Sequence, residues 1–308
     1  MVTTDAIPEL AVRLTLIFFG IIGNLLIVRV YFLEYRISKA LQPTELVVTI
    51  LASINVLQPI SLFLPIIRLQ FFCRYIGEGM VKLIDIILIF FSKMSYWFTA
   101  WLCFFYYVQI VKVNWKVFLR LKQRISLVVK FLIICTLIVC FILSVPVIRI
   151  IKFTPNDSYI PKQCQNIYIR GKATFIYTVV LTVLTSLLPL AVMVVSSLNI
   201  VIFLCRHSRN MTKNVTTIGS SHSNAYTTIA IMLISLIILY VVCTSTVVAV
   251  NLQVSVGDLD ILTAIAITSS FYSAGSAVIL SIGTLKIRQH CIKVCCIKWG
   301  SMLRDQHI

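Results

Sequence analysis

The sequence predicts an all-α fold, a polytopic membrane protein built as a seven-transmembrane-helix bundle, on three observations. Hydrophobic residues fill 59% of the 308 positions and charged ones only 12%, too little polar surface to coat a soluble globule. The apolar residues come in long runs without the strict alternation of a barrel strand, and in lipid such a run satisfies its backbone only as a helix. Seven runs are counted, at about 8–33, 44–67, 82–111, 126–151, 173–204, 225–250 and 259–283, followed by a basic, cysteine-containing tail over 284–308.

The first run follows a short acidic segment with Asp5 and Glu9 and no pattern of a cleavable leader, so it is expected to act as its own insertion signal. The third run, Lys82 to Val111, is the axis of the chain. It is apolar enough to cross a bilayer, yet it carries Asp85, Ser92, Lys93, Tyr96 and Trp97 and runs into the basic segment Lys112 to Arg124. Ionisable side chains in lipid cost at least a few kcal/mol, which turns Asp85 and Lys93 towards other helices or a water-filled cavity. Eight residues apart, they sit two turns away and about 80° off register, too far to pair directly. Asp85 is read as an anchor for a cationic ligand; Lys93 either pairs with a polar group of a neighbouring helix or snorkels.

Prolines interrupt several runs: Pro59 and Pro65 in the second, Pro146 in the fourth, Pro189 in the fifth. Kinks at Pro146 and Pro189 are expected to widen the bundle towards the outside. Most of the ten cysteines fall in the apolar runs and read as small core fillers. Cys73 and Cys164 lie in the first and second external loops, where a disulfide between them is a candidate. Cys291, Cys295 and Cys296 follow the last run among basic residues, a setting for palmitoylation or for free thiols; with only His290 beside them they complete no metal site.

Charge sets the orientation. With the N-terminus outside, seventeen of the 27 Lys and Arg residues fall on the cytoplasmic face and nine on the other, with Lys93 in mid-helix. The formal charge of +17 is then explained by topology and anionic membrane lipid, and nucleic acid is not a partner. The second external loop, about 152–172, holds the sequon Asn156-Asp157-Ser158, placed where Asn156 can be glycosylated; the sequons at Asn210 and Asn214 fall inside and are expected to stay bare.

Seven helices, an outside N-terminus and a basic inner face describe a G-protein-coupled receptor in the plasma membrane more readily than a transporter, for which no repeated halves are found. A channel filter is likewise not found, and neither is a catalytic constellation, so the chain is read as no enzyme and as needing no cofactor.

The chain resembles the type 2 (bitter) taste receptors as a divergent member, on residues spread along nearly its whole length. These are Gly23-Asn24 in the first helix, Ser95-Tyr96-Trp97-Phe98-Thr99-Ala100-Trp101-Leu102 with Phe105-Tyr106, and Leu119 to Ser126. Further on come Leu187-Leu188-Pro189, Ser196-Ser197-Leu198, Arg206-His207-Ser208, Leu239-Tyr240 and the closing Ile279 to Gln289. Departures are Asn55, where many members have arginine, Gln109 for lysine, Tyr226-Thr227 for leucine-lysine and Ser276 for histidine. Type 1 vomeronasal (pheromone) receptors are the alternative, and a small-solute transporter the more distant one.

A small-molecule agonist is expected to enter from outside among the third, fifth, sixth and seventh helices, which offer Asp85, Leu88, Ser92, Tyr96, Tyr240, Thr263, Ala266 and Ser269. The resemblance places Leu88, Ser92, Tyr240 and Ala266 at pocket positions, with Leu88 and Ser92 replacing the family's tryptophan and asparagine. It implies coupling to a heterotrimeric G protein, gustducin-like or Gi-type, at an inner face lined by Tyr106, Gln109, Lys112, Lys122, His207 and Lys286.

Overall fold

The computed structural model describes residues 6–67, 78–111, 120–121, 123–153, 166–168, 172–213, 220–254, 261–290 and 292. Seven helices run through it: α1 (Ala6–Ser38), α2 (Pro43–Ile67), α3 (Glu78–Ile110), α4 (Ile125–Ser144), α5, α6 (Ser220–Val254) and α7 (Ile261–Gly283). The fifth, α5, has two α-helical stretches, Lys172–Thr182 and Leu188–Lys213, joined by a π-helical turn at Val183–Leu187. Among the described residues six helices are long and apolar enough to cross a membrane, and Ile267–Gly283 of α7 is a shorter apolar helix.

Several helices run past the expected spans, α1 to Ser38, α5 to Lys213 and α6 from Ser220 to Val254, whereas α4 stops short at a proline. Pro146 has no amide hydrogen for the helix ladder, and α4 ends at Ser144, to be followed by a four-residue turn, Val147–Ile150. The fourth run is thus shorter than 126–151. Beyond it lies a two-stranded antiparallel ribbon, β1 (Ile151–Phe153) and β2 (Asn166–Tyr168), with Lys152 opposite Ile167. Pro59 leaves α2 continuous. Asn156, Cys73, Cys164, Lys112 and Lys122 lie outside the described residues.

Helix α3 is the centre of the bundle, packed against α2, α4, α5 and α6, while α7 closes the ring against α1, α2 and α6. Its inward residues, Phe98, Leu102, Cys103 and Phe105, are sealed in one apolar cluster with Leu51, Met193, Leu233, Leu236 and Leu280. Cys103, Cys140 and Cys243 are buried free thiols, as core fillers should be. Outward faces stay apolar: Phe18, Phe131, Ile142, Val195, Ile238 and Ile282 are all exposed, the inverse of a soluble surface and the match of a lipid one.

At the end of the bundle where α1 turns into α2, the local chemistry is explicit. Lys39 closes α1 with φ 57°, its amide donating to the Tyr35 carbonyl at 2.8 Å. Pro43 opens α2, and Glu45 two positions on accepts the Gln42 amide at 2.9 Å, one half of a capping box.

Where α7 ends, Gly283 lies against Met232 of α6 so closely that a Cβ there would stand 2.4 Å from the methionine Cγ. A Gly283→Val variant is expected to lose about 1–3 kcal/mol from overpacking. Met232→Ala in the same chain should recover most of it, read as the thermal midpoint of detergent-solubilised protein; strictly additive losses would show that the two residues do not share that space.

Candidate functional site

Two layers of polar side chains cross the middle of the bundle, and both are organised by helical spacing. On α3, Leu88, Ser92, Ser95, Tyr96 and Thr99 recur every three or four residues and so share the inner face; on α7, Ser269, Tyr272, Ser273 and Ser276 do the same. All but Ser92, which is half-buried, are buried.

The first layer is a hydrogen-bonded network joining α1, α2, α3 and α7. The Asn24 amide donates to the Gly20 carbonyl at 2.8 Å and to the Ser273 carbonyl at 3.1 Å. Ser273 Oγ donates to the Asn55 carbonyl at 2.8 Å. The Asn55 amide donates to Ser276 Oγ at 3.0 Å, and its Oδ1 accepts from Ser95 Oγ at 2.7 Å. The approach of α1 to α7 depends on Gly20, where a Cβ would stand 3.2 Å from Ser273 Oγ. Asn55 and Ser276 thus bond to each other across α2 and α7.

The second layer is aromatic. Tyr96, Tyr240 and Tyr272 meet edge to face, with ring centroids 4.8 Å apart for Tyr96–Tyr240, 5.3 Å for Tyr96–Tyr272 and 6.4 Å for Tyr240–Tyr272. Each such contact contributes roughly 0.5–1.5 kcal/mol beyond simple burial. The Tyr272 hydroxyl is 2.6 Å from Thr99 Oγ1, and Thr99 in turn donates to the Ser95 carbonyl at 2.9 Å, which ties this layer to the first. The Tyr240 hydroxyl donates to the Ser186 carbonyl at 2.8 Å, inside the π-helical turn of α5. A π turn shifts the ladder by one residue and frees carbonyls for such use. Thr244 Oγ1 lies beside the Tyr96 and Tyr240 hydroxyls but closes no well-formed bond, and Gln58 Oε1 on α2 is also buried without a partner.

Of the expected pocket residues, Tyr96 and Tyr240 are brought together, Ser92 adds its hydroxyl beside Tyr96, and Ser269 lies one turn from Tyr272. Leu88 is buried one turn further along α3, against Ile84. Asp85, Thr263 and Ala266 belong to the same half of α3 and α7, but their side chains are outside the described residues. Sequence reasoning missed Tyr272, Thr99, Ser186 and Thr244. The three- and four-residue recurrence from Ser269 to Ser276 was the available signal for Tyr272.

At the opposite end, where α1 meets α2, Tyr106 is buried and Gln109 exposed on the last turns of α3. The Tyr31 and Tyr106 hydroxyls face Thr284 just past α7. His207 is carried by α5, its side chain outside the described residues. Lys286 is engaged: its ammonium is 2.7 Å from Glu45 Oε1 and 3.1 Å from Glu34 Oε1, clamping the segment after α7 to α1 and to the cap of α2.

The fold and its polar core are those of a seven-helix membrane receptor of the G-protein-coupled class. The chain belongs to the Taste receptor protein (TAS2R) family, whose sequence profile matches residues 1–299. It is 28% identical to taste receptor type 2 member 7 of Rattus norvegicus, over 90% of each chain. It is 25% identical to member 114 of Mus musculus, over 93% of this chain and 94% of the other. With member 40 of Gallus gallus it shares 28% over 64% of this chain and 65% of the other. These relatives are receptors, not enzymes, and the family match decides against the vomeronasal and transporter alternatives.

The Glu45 carboxylate raises the Lys286 ammonium above its ordinary value of 10.5. A raised lysine contributes its stability in full below the ordinary value and loses it as pH climbs through the raised one, so the clamp is closed throughout the neutral range. Because Lys286 is 43% exposed, Lys286→Met should cost only about 0.2–1 kcal/mol after solvent screening. The deficit in thermal midpoint should be constant across neutral pH and fade in alkali; a deficit that changes between pH 6 and 9 would contradict the pairing.

Proposed function

We propose that this receptor binds small, partly apolar bitter-type molecules in the half of the bundle between the tyrosine layer and the α2–α3 end, and activates a heterotrimeric G protein at the other end. The observation that carries this reading is the junction of Tyr96, Tyr240 and Tyr272, one ring from each of α3, α6 and α7. A receptor needs a bistable bundle whose two states its ligand distinguishes. Three rings held by edge contacts and single hydrogen bonds form such an element, because a shift of α6 breaks the Tyr240–Ser186 bond and the Tyr96–Tyr240 contact together.

Ser92 and Ser269, with Asp85, Thr263 and Ala266 on the same half, supply anchors above a tyrosine floor, and the unpartnered Thr244 and Gln58 oxygens await a ligand group or an ordered water. On this reading Asp85 favours ligands that carry a cation. Coupling is to a gustducin-like or Gi-type protein at the surface of Tyr106, Gln109, His207 and Lys286, with Lys112 and Lys122 close by in sequence. The Lys286 clamp to Glu34 and Glu45 then holds the closed state. The N-terminus faces out and the C-terminus lies in the cytoplasm, in contact with anionic lipid.

Calcium mobilisation in cells carrying this chain and a gustducin-type chimeric α-subunit tests the reading. A response to bitter compounds is expected, abolished by Tyr240→Ala and reduced severalfold in potency by Tyr240→Phe at equal surface expression. Silence to a broad panel at proven surface expression would refute it. The orientation has its own check: Asn156→Gln should remove a glycosidase-sensitive mobility shift that Asn210→Gln and Asn214→Gln leave in place, and the reverse pattern would invert the topology.

A further inference from the structure

Lys93 is used by neither polar layer. Within the apolar span Lys82–Ile110 it lies, at 1.5 Å per residue, about 16 Å from one end and about 26 Å from the other. That is farther than a four-carbon side chain reaches, so Lys93 does not snorkel to an interface. Its Nζ stands 5.5 Å over the ring of Tyr96, and Cys140 of α4 is near enough to interact with it electrostatically. Tyr96 is 3% exposed and Cys140 fully buried, so the amine points into the bundle and not to lipid. Lys93 itself is half-buried. Among the described residues no carboxylate pairs with it; the salt bridges there belong to Lys286.

A cation–π contact offsets only part of the cost of withdrawing an ammonium from water. Such a cation still lacks a counter-charge among the described residues. We infer that Lys93 is a specificity residue for amphipathic organic anions: a carboxylate or sulfonate head pairs with Nζ beside Ser92, and an apolar body lies against Tyr96 and Leu88. This rests on the receptor reading above and narrows its ligand class. It also runs against the cation preference argued for Asp85, and the two are separated by experiment.

The test uses the full-length receptor in the calcium assay with matched sets on biphenyl, naphthyl and steroid bodies, each as carboxylate, methyl ester and primary amine. In the unmodified receptor at least one carboxylate should be tenfold or more as potent as its ester and its amine. Lys93→Met should erase that gap while keeping responses to esters or other neutral bitter compounds, and Lys93→Arg should retain it. Surface labelling accompanies each variant, and Lys93→Gln takes the place of Lys93→Met if the latter fails to reach the surface. Equal potency of acid and ester on every body, a preference for the amine, or a gap that survives loss of the lysine would overturn the inference while leaving the receptor reading intact. Silence to every compound, neutral bitter ones included, would overturn both.

Discussion

The side chain on which the rest of the bundle depends is Asn55. Inside lipid a polar group has no water to fall back on, so donors and acceptors on the inner helix faces seek partners on their own or a neighbouring helix. Asn55 does this for α3 through Ser95 and for α7 through Ser276, while its own carbonyl holds Ser273, which Asn24 of α1 also grips. Four helices are thereby registered against one amide. Removing its side chain would leave the buried Ser95 hydroxyl without its acceptor, at about 1–3 kcal/mol, while Ser276 keeps its bond to the Ser273 carbonyl. The small residues Gly20, Gly23 and Ala277 are the steric condition for this arrangement, since they let α1 and α7 approach until the bonds close.

Above this fixed layer the structure is balanced rather than locked. Tyr272 belongs to both layers: through Thr99 it is anchored to the Asn55 network, and through its ring it touches the two tyrosines on α3 and α6. Tyr240 faces the other way, into the π turn of α5. The contacts across α3, α6 and α7 are thus of the size of single hydrogen bonds and ring edges, so a ligand distinguishing two arrangements by a few kcal/mol can set their populations. The clamp of Lys286 on Glu34 and Glu45 is of similar modest strength, and it joins the segment after α7 to the cap that starts α2.

Hydropathy made the seven spans and the central role of α3 legible, because a lipid-spanning helix declares itself by length and composition alone. Tyr96 and Tyr240 were legible as inward residues, and the structure brings them within contact. Tyr272 was not, since an aromatic residue in an apolar run looks like any core filler until its neighbours across the bundle are known. The partners of Lys286 were hidden for a related reason: Glu34 is 252 residues away, and local charge reading sees only a basic tail. The π turn in α5 has no period of its own in the sequence. The break at Pro146 was anticipated as a kink, but in α4 the missing amide ends the helix.

The two lysines set against each other show what the bundle does with charge. Lys286 sits at the solvent end with two carboxylates and is fully accounted for by them. Lys93 sits at mid-span with a ring and a thiol and is not accounted for by either. At 100° per residue, Lys93 points about 160° away from Ser95 on α3, so it faces away from the Asn55 network. The network is closed by a neutral asparagine matched by a neutral serine, and Lys93 lies on the far side of α3. The network is therefore closed without a charge, and on the inference drawn for Lys93 it is a ligand, and not the fold, that balances the cation.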